Sequence, residues 1–161
     1  MSDRARFITA LETEHAAFEE FVGVLEAESA ALAGNDIDAL PALAHAKSDK
    51  VVQLSRLFEE RRTYLRAAGF EADRTGMAQW MIAEGGADGA RLSKLWSSLL
   101  ERAAHAQKLN EANGALIETR LRFNQSALAA LQAAAQNTAG YGPDGSTTLA
   151  TGRSGRDFGT A

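Results

Sequence analysis

The chain has 161 residues, a formal net charge of −4, 45% hydrophobic residues and no cysteine. This length and apolar content suffice for one domain with a buried core. The lack of cysteine excludes disulfides, thiolate nucleophiles and thiolate metal sites. A mildly acidic balance disfavours nucleic-acid binding, which uses a basic stripe. Abundant Ala and Leu with few Val, Ile and Tyr favour helices over sheets.

The sequence lacks the usual marks of export or membrane insertion. It begins with the charged stretch MSDRARF, which is unlike a signal peptide. It contains no run of about 18 apolar residues, the length that a membrane span needs. We therefore expect a cytoplasmic protein with no membrane insertion and no nucleic-acid partner.

The first predicted helix carries apolar residues at alternating spacings of three and four. Such a heptad pattern predicts a helical face that packs against other helices. Gly34 and Asn35 follow the pattern and are typical of a helix end. The face comprises Ile8, Leu11, His15, Phe18, Val22, Leu25, Ser29 and Leu32.

A second helix repeats this pattern and ends near Gly69. Asp36 or Asp38 is expected to cap it, with Pro41 in its first turn. The short connection predicts an antiparallel hairpin with the first helix. Two basic residues of its face are interpreted as snorkelling at the bundle edge. The face comprises Leu40, Ala44, Lys47, Val51, Leu54, Phe58, Arg61 and Leu65.

Residues 69–90 are less regular. Met77, Trp80 and Met81 predict one short amphipathic helix, and EGGADG (84–89) predicts a loop in which Asp88 can cap the next helix. We expect Trp80 and Trp96 to belong to the hydrophobic core.

A single long helix is predicted from about residue 88 to 136, because Gly114 is the only helix-breaking residue in its interior. The following residues, 137–161, hold six glycines and only three large apolar side chains. This composition predicts a flexible tail. The predicted fold is therefore an all-α, elongated antiparallel bundle or coiled coil of three long helices and a short one. Residues 1–136 form the bundle and 137–161 the tail.

Helix lengths predict an uncovered surface. Helices of about 30 residues span about 45 Å, whereas one of about 49 residues spans about 73 Å. The excess falls at about residues 118–136, which carry Leu121, Phe123, Leu128 and Leu131. An uncovered apolar stripe usually binds a partner or a second copy of the same chain. We expect this segment to dock a partner helix.

The stretch LNEANGALI (109–117) places polar residues in this helix. Asn110, Asn113 and Asn124 lie within one sector, and Gly114 costs about 1 kcal/mol relative to alanine in a helix interior. Two interpretations remain open. The asparagines form a buried polar layer that fixes register, with Gly114 allowing close backbone approach, or their amides face a partner.

Catalysis and metal binding have little support. Glu12 and His15 have a Glu-x-x-His spacing, but His45 and His105 have no acid three residues before them. Di-iron bundles need two such motifs and two further glutamates. No nucleophile with a base and no phosphate loop is visible. We predict no enzyme activity, no catalytic residue, no cofactor and no metal.

Several motifs resemble the FlgN family. They are AKSDKVVQLSRLFEERR (46–62), the helix with Trp96 followed by LNEANGALI, then Asn124, Gln125 and Leu128, and finally YGPDG (141–145). The similarity spans nearly the whole chain and is weakest at residues 69–90. The N-x-x-N-G-x-L-I pattern and the Y-G-x-D-G turn are its most specific parts.

The resemblance implies a cytosolic chaperone of flagellar type III export. Such chaperones bind the two hook–filament junction proteins by their C-terminal helical segments and deliver them to the cytosolic domain of the export gate. The resemblance further implies that the C-terminal part carries cargo binding and that the tail tyrosine, here Tyr141, contacts the gate. The expected cargo residues are Asn113, Leu116, Ile117, Leu121, Phe123, Asn124, Leu128 and Leu131.

Other classes remain open beside this one. Without cargo, the same stripe could pair two copies of the chain as a homodimer. The alternative to a chaperone is a helical adaptor or structural coiled-coil protein without an export role. A third reading is a metal-binding four-helix bundle.

Overall fold

A computed structural model describes residues 1–139, with side chains described up to residue 136. The four α-helices are α1 (Asp3–Ala33), α2 (Leu40–Ala67), α3 (Arg74–Glu84) and α4 (Gly89–Ala139). Residues 1–139 contain no strand, so the predicted all-α class, with three long helices and a short one, is confirmed. None of the helices within residues 1–139 has the length and apolar character of a membrane span. Internal contacts divide the chain into the units Met1–Leu116 and Ile117–Ala161.

The ends of α1 follow the predicted signals. Ser2 caps its first turn by accepting a hydrogen bond from the backbone N–H of Ala5. The N–H of Gly34 donates to the carbonyl of Ala30, and Asn35 adopts a left-handed conformation with φ 55°. The predicted helix end is therefore confirmed.

The start of α2 differs from the prediction. Asp36 makes no side-chain capping hydrogen bond, and Asp38 lies inside a short 3₁₀ turn, Ile37–Ala39. The α-helix begins at Leu40, with Pro41 in its first turn. The 3₁₀ turn itself supplies the entry to the helix, so no side-chain cap is needed.

A tight turn precedes α3. Asp73 accepts a hydrogen bond from the backbone N–H of Gly76 at 2.7 Å and so caps the helix. A Cβ at position 76 would lie 1.7 Å from the carbonyl oxygen of Glu71, which leaves room only for glycine. Asp88, which was predicted to cap the next helix, lies just before α4 and pairs with Arg4. Its carboxylate accepts a hydrogen bond from Arg4.

Three acid–base pairs fix the direction of α2 against α1. Residue numbers rise along one helix while they fall along the other, so the predicted antiparallel hairpin is confirmed. The pairs are Glu14 with Arg61, Glu20 with Lys50, and Glu28 with Lys47.

Within Met1–Leu116, α4 runs parallel to α1, because the residue numbers of contacting pairs increase along both helices in the same direction. Arg91 donates to Glu12 at 2.6 Å, and this hydrogen bond raises the pKa of the already cationic Arg91. Further along, His15 hydrogen-bonds the hydroxyl of Ser98 at 2.8 Å. His15 is thus a partly buried residue of the α1 face, as predicted.

Two hydrophobic clusters hold this unit together. Trp80 lies at the centre of the first, edge-on to the rings of Phe7 and Tyr64. Trp96 is buried in the same cluster, so the core role predicted for both tryptophans is confirmed. The second cluster comprises Ala17, Phe21, Val22, Leu25, Leu54, Leu57 and Ala106.

The predicted face of α2 is only partly correct. Leu54 and Leu65 are buried, but Val51 and Phe58 are 47% and 43% exposed, and Leu57 is buried instead. The interpretation of Arg61 as a snorkelling residue is wrong. Its side chain is only 10% exposed, because its guanidinium is paired with buried Glu14.

Candidate partner-binding surface

The second unit presents an apolar stripe on its helix. We define the stripe as Ile117, Leu121, Asn124, Leu128 and Leu131, whose spacings of four, three, four and three place them on one helix face. All five are exposed, and Leu121 and Leu128 are each 56% exposed. The exposure predicted for these leucines is confirmed.

Phe123 lies outside this face. It is 72% exposed and shares its own side of the helix with Ala127 and Ala130, at spacings of four and three. Leu116 is exposed as well and is the last residue of the first unit. Phe123 and Leu116, both predicted cargo residues, therefore do not belong to the stripe.

The helical segment 123–136 contains no charged residue. Charges occur just before it, where Glu118 and Arg122 form an exposed pair one turn apart. Helices that remain in water usually carry charged residues on their outer face. An exposed segment without charge, with Phe123, Leu128 and Leu131, is therefore suited to burial against another helix.

Asn113 is buried and its amide is engaged within the chain. Its Nδ2 donates to the carbonyl of Leu25 and to the carboxylate of Glu28, each at 2.9 Å, and its Oδ1 accepts from the hydroxyl of Ser29. Lys47 donates to the same carboxylate. Of the two interpretations, the buried polar layer holds for Asn113. We therefore remove it from the candidate cargo residues.

The neighbours of Asn113 behave differently. Asn110 and Asn124 are exposed, so a buried layer does not extend to them. A Cβ at Gly114 would meet nothing within 4 Å. The expected close approach of another backbone at Gly114 is thus not found in the chain's own packing.

The remaining predicted sites can be placed briefly. The described residues contain no cluster of His, Asp and Glu that could hold a metal ion. Glu12 and His15, which have the metal-ligand spacing, instead bind Arg91 and Ser98. Tyr141, the predicted gate contact, lies outside the described residues.

Sequence reasoning missed two buried acids, Glu14 and Glu28. They occupy the same heptad position as buried Phe7 and Phe21. A signal for them was present on α2. Lys47 and Arg61 are as far apart in the sequence as Glu14 and Glu28, so an antiparallel hairpin can pair each acid with one base.

The fold and the surface together define a helical-bundle protein with an exposed apolar helix in its C-terminal unit. The FlgN protein family model matches residues 1–148, and the chain belongs to this family.

Relatives and a solved structure agree with this assignment. The flagella synthesis protein FlgN of Salmonella typhimurium is 29% identical over 97 residues, which cover 60% of this chain and 66% of that protein. The FlgN of Salmonella typhi matches equally well. The chain thus spans just under two thirds of these relatives. The crystal structure of a Pseudomonas aeruginosa flagella synthesis protein FlgN matches with a TM-score of 0.66 and 27% identity, covering 73% of this chain and 90% of that one.

Proposed function

We propose that this protein is a cytoplasmic flagellar export chaperone for the hook–filament junction proteins. The observation that carries the proposal is the exposed, charge-free apolar helix at 123–136 in a member of the FlgN family. The relatives named flagella synthesis proteins support the flagellar part of the proposal. The stripe binds the C-terminal helical segments of the junction proteins and keeps them from assembling early.

The driving force is apolar burial. Segments that assemble into filaments are amphipathic helices whose apolar face would self-associate in the cytosol. The stripe offers that face a temporary partner, worth roughly 25 cal/mol per Å² of apolar surface removed from water. Ordering the cargo segment offsets much of this gain, so the complex stays reversible and needs no nucleotide to release.

Asn124 gives the stripe selectivity. It is flanked at helical spacing by Leu121 and Leu128, and its exposed amide needs hydrogen-bond partners when it is buried. A cargo helix that supplies an acceptor or donor at this point binds in one register, whereas a purely apolar helix leaves the amide unsatisfied.

An experiment that introduces charges tests the cargo surface. Replacing Leu121→Glu and Leu128→Glu together should weaken binding to the junction proteins about 100-fold, because two central apolar contacts are lost and two charges are buried. Isothermal titration calorimetry measures this effect. Both side chains are exposed in the free protein, so its helical circular dichroism and melting temperature should be unchanged.

The matched control is Ser126→Glu with Ala129→Glu. This pair adds the same two charges to the same segment, but neither position follows the spacing of the stripe. The control should bind cargo like the wild type. Equal affinities for both double variants would refute the assignment of the stripe.

Delivery to the gate is proposed to use Tyr141. An aromatic residue flanked by glycines gives a large contact area with few rotatable bonds to fix. The variant Tyr141→Ala should therefore retain cargo binding and lose binding to the cytosolic domain of the export gate in a pull-down. Loss of both activities, or of neither, would contradict this role. An adaptor without an export role would bind neither junction proteins nor gate.

A further inference from the structure

The helices α2 and α4 lie side by side and antiparallel in the first unit. The guanidinium carbon of Arg61 lies 4.9 Å from the ring centroid of Trp96. At the other end of α2, Lys47 binds the same carboxylate as Asn113 of α4, that of Glu28. Residue numbers therefore fall along α2 while they rise along α4. Two neighbouring helices of this kind leave a groove along their line of contact.

Apolar side chains from both helices meet at this groove. Phe58 of α2 lines one cavity together with Leu100 and Ala103 of α4. Val51 precedes Phe58 by seven positions, so both side chains lie on the same side of α2. Both are about half exposed. The side of α2 that faces the groove is therefore only partly covered by the described residues.

The two walls of the groove are uncharged. Each wall is a row of residues at alternating spacings of three and four, which keeps them on one side of a helix. The row of α2 comprises Ala44, Ser48, Val51, Ser55 and Phe58. The row of α4 comprises Leu100, Ala103, Gln107, Asn110 and Gly114. In a chain with 24% charged residues, two facing rows without charge form a surface that another helix can cover.

The charged residues around the rows do not oppose an apolar partner. Lys47 and Arg61, which α2 directs toward the bundle, are both paired with buried glutamates of α1. Asp73 and Arg74 line the cavity beyond Phe58, next to the start of α3, and the rows lead away from them. The groove between the rows thus favours an apolar occupant.

Gly114, the last residue of the α4 row, is not required by the chain's own packing. A Cβ there would meet nothing within 4 Å, although glycine weakens a helix relative to alanine. Another helix can approach most closely where a side chain is absent. In the sequence, Ile117 and Leu121 of the stripe continue the alternating spacing beyond Gly114. The row and the stripe are therefore one continuous pattern along α4.

We infer that the groove binds an amphipathic helix of the cargo, which becomes the fourth helix of the unit Met1–Leu116. This inference rests on the cargo function proposed above and adds α2 to the cargo contact. A helix is the fitting occupant, because antiparallel helices with apolar residues seven positions apart have the packing pattern of a four-helix bundle. The cargo helix packs large apolar side chains against Val51 and Phe58 and passes closely over Gly114.

A matched pair of variants tests the α2 wall. Val51→Glu should weaken binding of a synthetic peptide, the C-terminal helical segment of a junction protein, about tenfold, because the new charge is buried under the peptide. Val52→Glu adds the same charge at the next position, which is 71% exposed and lies outside the row, so it should bind like the wild type. Isothermal titration calorimetry on the full chain measures both affinities, and circular dichroism checks the fold.

A photo-crosslinking amino acid tests the α4 wall. In place of Gln107 it should cross-link to the peptide. In place of Ala112, which is exposed on another side of α4, it should not. Cross-links from position 107 to residues 140–161 of the same chain, or to a second copy, in place of the peptide would assign the groove to the tail or to a dimer and overturn the inference.

The stripe variants keep this inference separate from the proposed function. If Leu121→Glu with Leu128→Glu weakens peptide binding and Val51→Glu does not, the groove is not used and the cargo function stands. Equal weakening by Val51→Glu and Val52→Glu would also overturn the inference, since the effect would not depend on the row. A wild-type chain that does not bind the peptide would contradict both proposals.

Discussion

Replacing Glu14 by alanine is expected to lower the free energy of unfolding by about 3–5 kcal/mol, the loss typical of breaking a buried ion pair. Glu14 is 2% exposed and accepts two hydrogen bonds from Arg61, which is itself 8% exposed. Without the carboxylate, the guanidinium keeps its charge in a site that water barely reaches. Urea denaturation followed by circular dichroism measures the effect.

Two further variants separate the pair from simple loss of charge. Glu20→Ala removes the partner of Lys50 on the same two helices, but Glu20 is largely exposed, so the loss should stay below about 1 kcal/mol. The double change Glu14→Met with Arg61→Met should recover much of the lost stability, because neither charge is then buried alone. A double variant as unstable as Glu14→Ala would argue against this explanation.

Replacing Trp80 by alanine is expected to lower the free energy of unfolding by about 3–5 kcal/mol, as for other buried aromatic residues. Trp80 is fully buried and joins the short helix α3 to Phe7 of α1 and Tyr64 of α2. Its removal leaves a cavity at the point where three helices meet. Thermal and urea unfolding of the purified variant measure the loss.

The variant Trp80→Phe should lose much less. The indole N–H of Trp80 has no hydrogen-bond partner among the described residues, so phenylalanine removes an unsatisfied buried donor along with some volume. Ile82→Ala is the matched control on α3, since Ile82 is 85% exposed, and it should change stability by less than about 0.5 kcal/mol. If Ile82→Ala destabilised as strongly as Trp80→Ala, Ile82 would have to be buried in solution.

The helices of this protein could be predicted because their signals are local. The heptad spacing of α1 and the Gly34–Asn35 end depend on residues within a few turns of each other. The short helix around Trp80 was likewise visible as three apolar residues at helical spacing. Each of these features follows from backbone preferences that neighbouring residues decide.

The partners of polar residues could not be predicted in the same way. The heptad position of Arg61 indicates that it faces the bundle. Only the packing of α1 against α2 brings it within hydrogen-bonding distance of Glu14. Exposed snorkelling and buried pairing have the same sequence pattern. The difference between them is set by a residue 47 positions away in the chain.

The candidate surface shows the same division. The exposure of Leu121 and Leu128 could be predicted from helix length, because each residue adds a fixed rise to a helix. The fate of Asn113 depended on whether Leu25, Glu28 and Ser29 would come within hydrogen-bonding distance. Sequence spacing put Asn113 and Asn124 in one sector, and only tertiary contacts distinguish the buried residue from the exposed one.

The lack of charge in residues 123–136 also bears on how fast a partner can be captured. Oppositely charged surfaces attract each other over several ångströms and can speed diffusional encounter by orders of magnitude at low salt. A neutral helix has no such long-range pull, so encounter through this segment should proceed at the ordinary rate of about 10⁵–10⁶ M⁻¹s⁻¹. Differences in residence time, rather than in capture rate, would then rank competing partners.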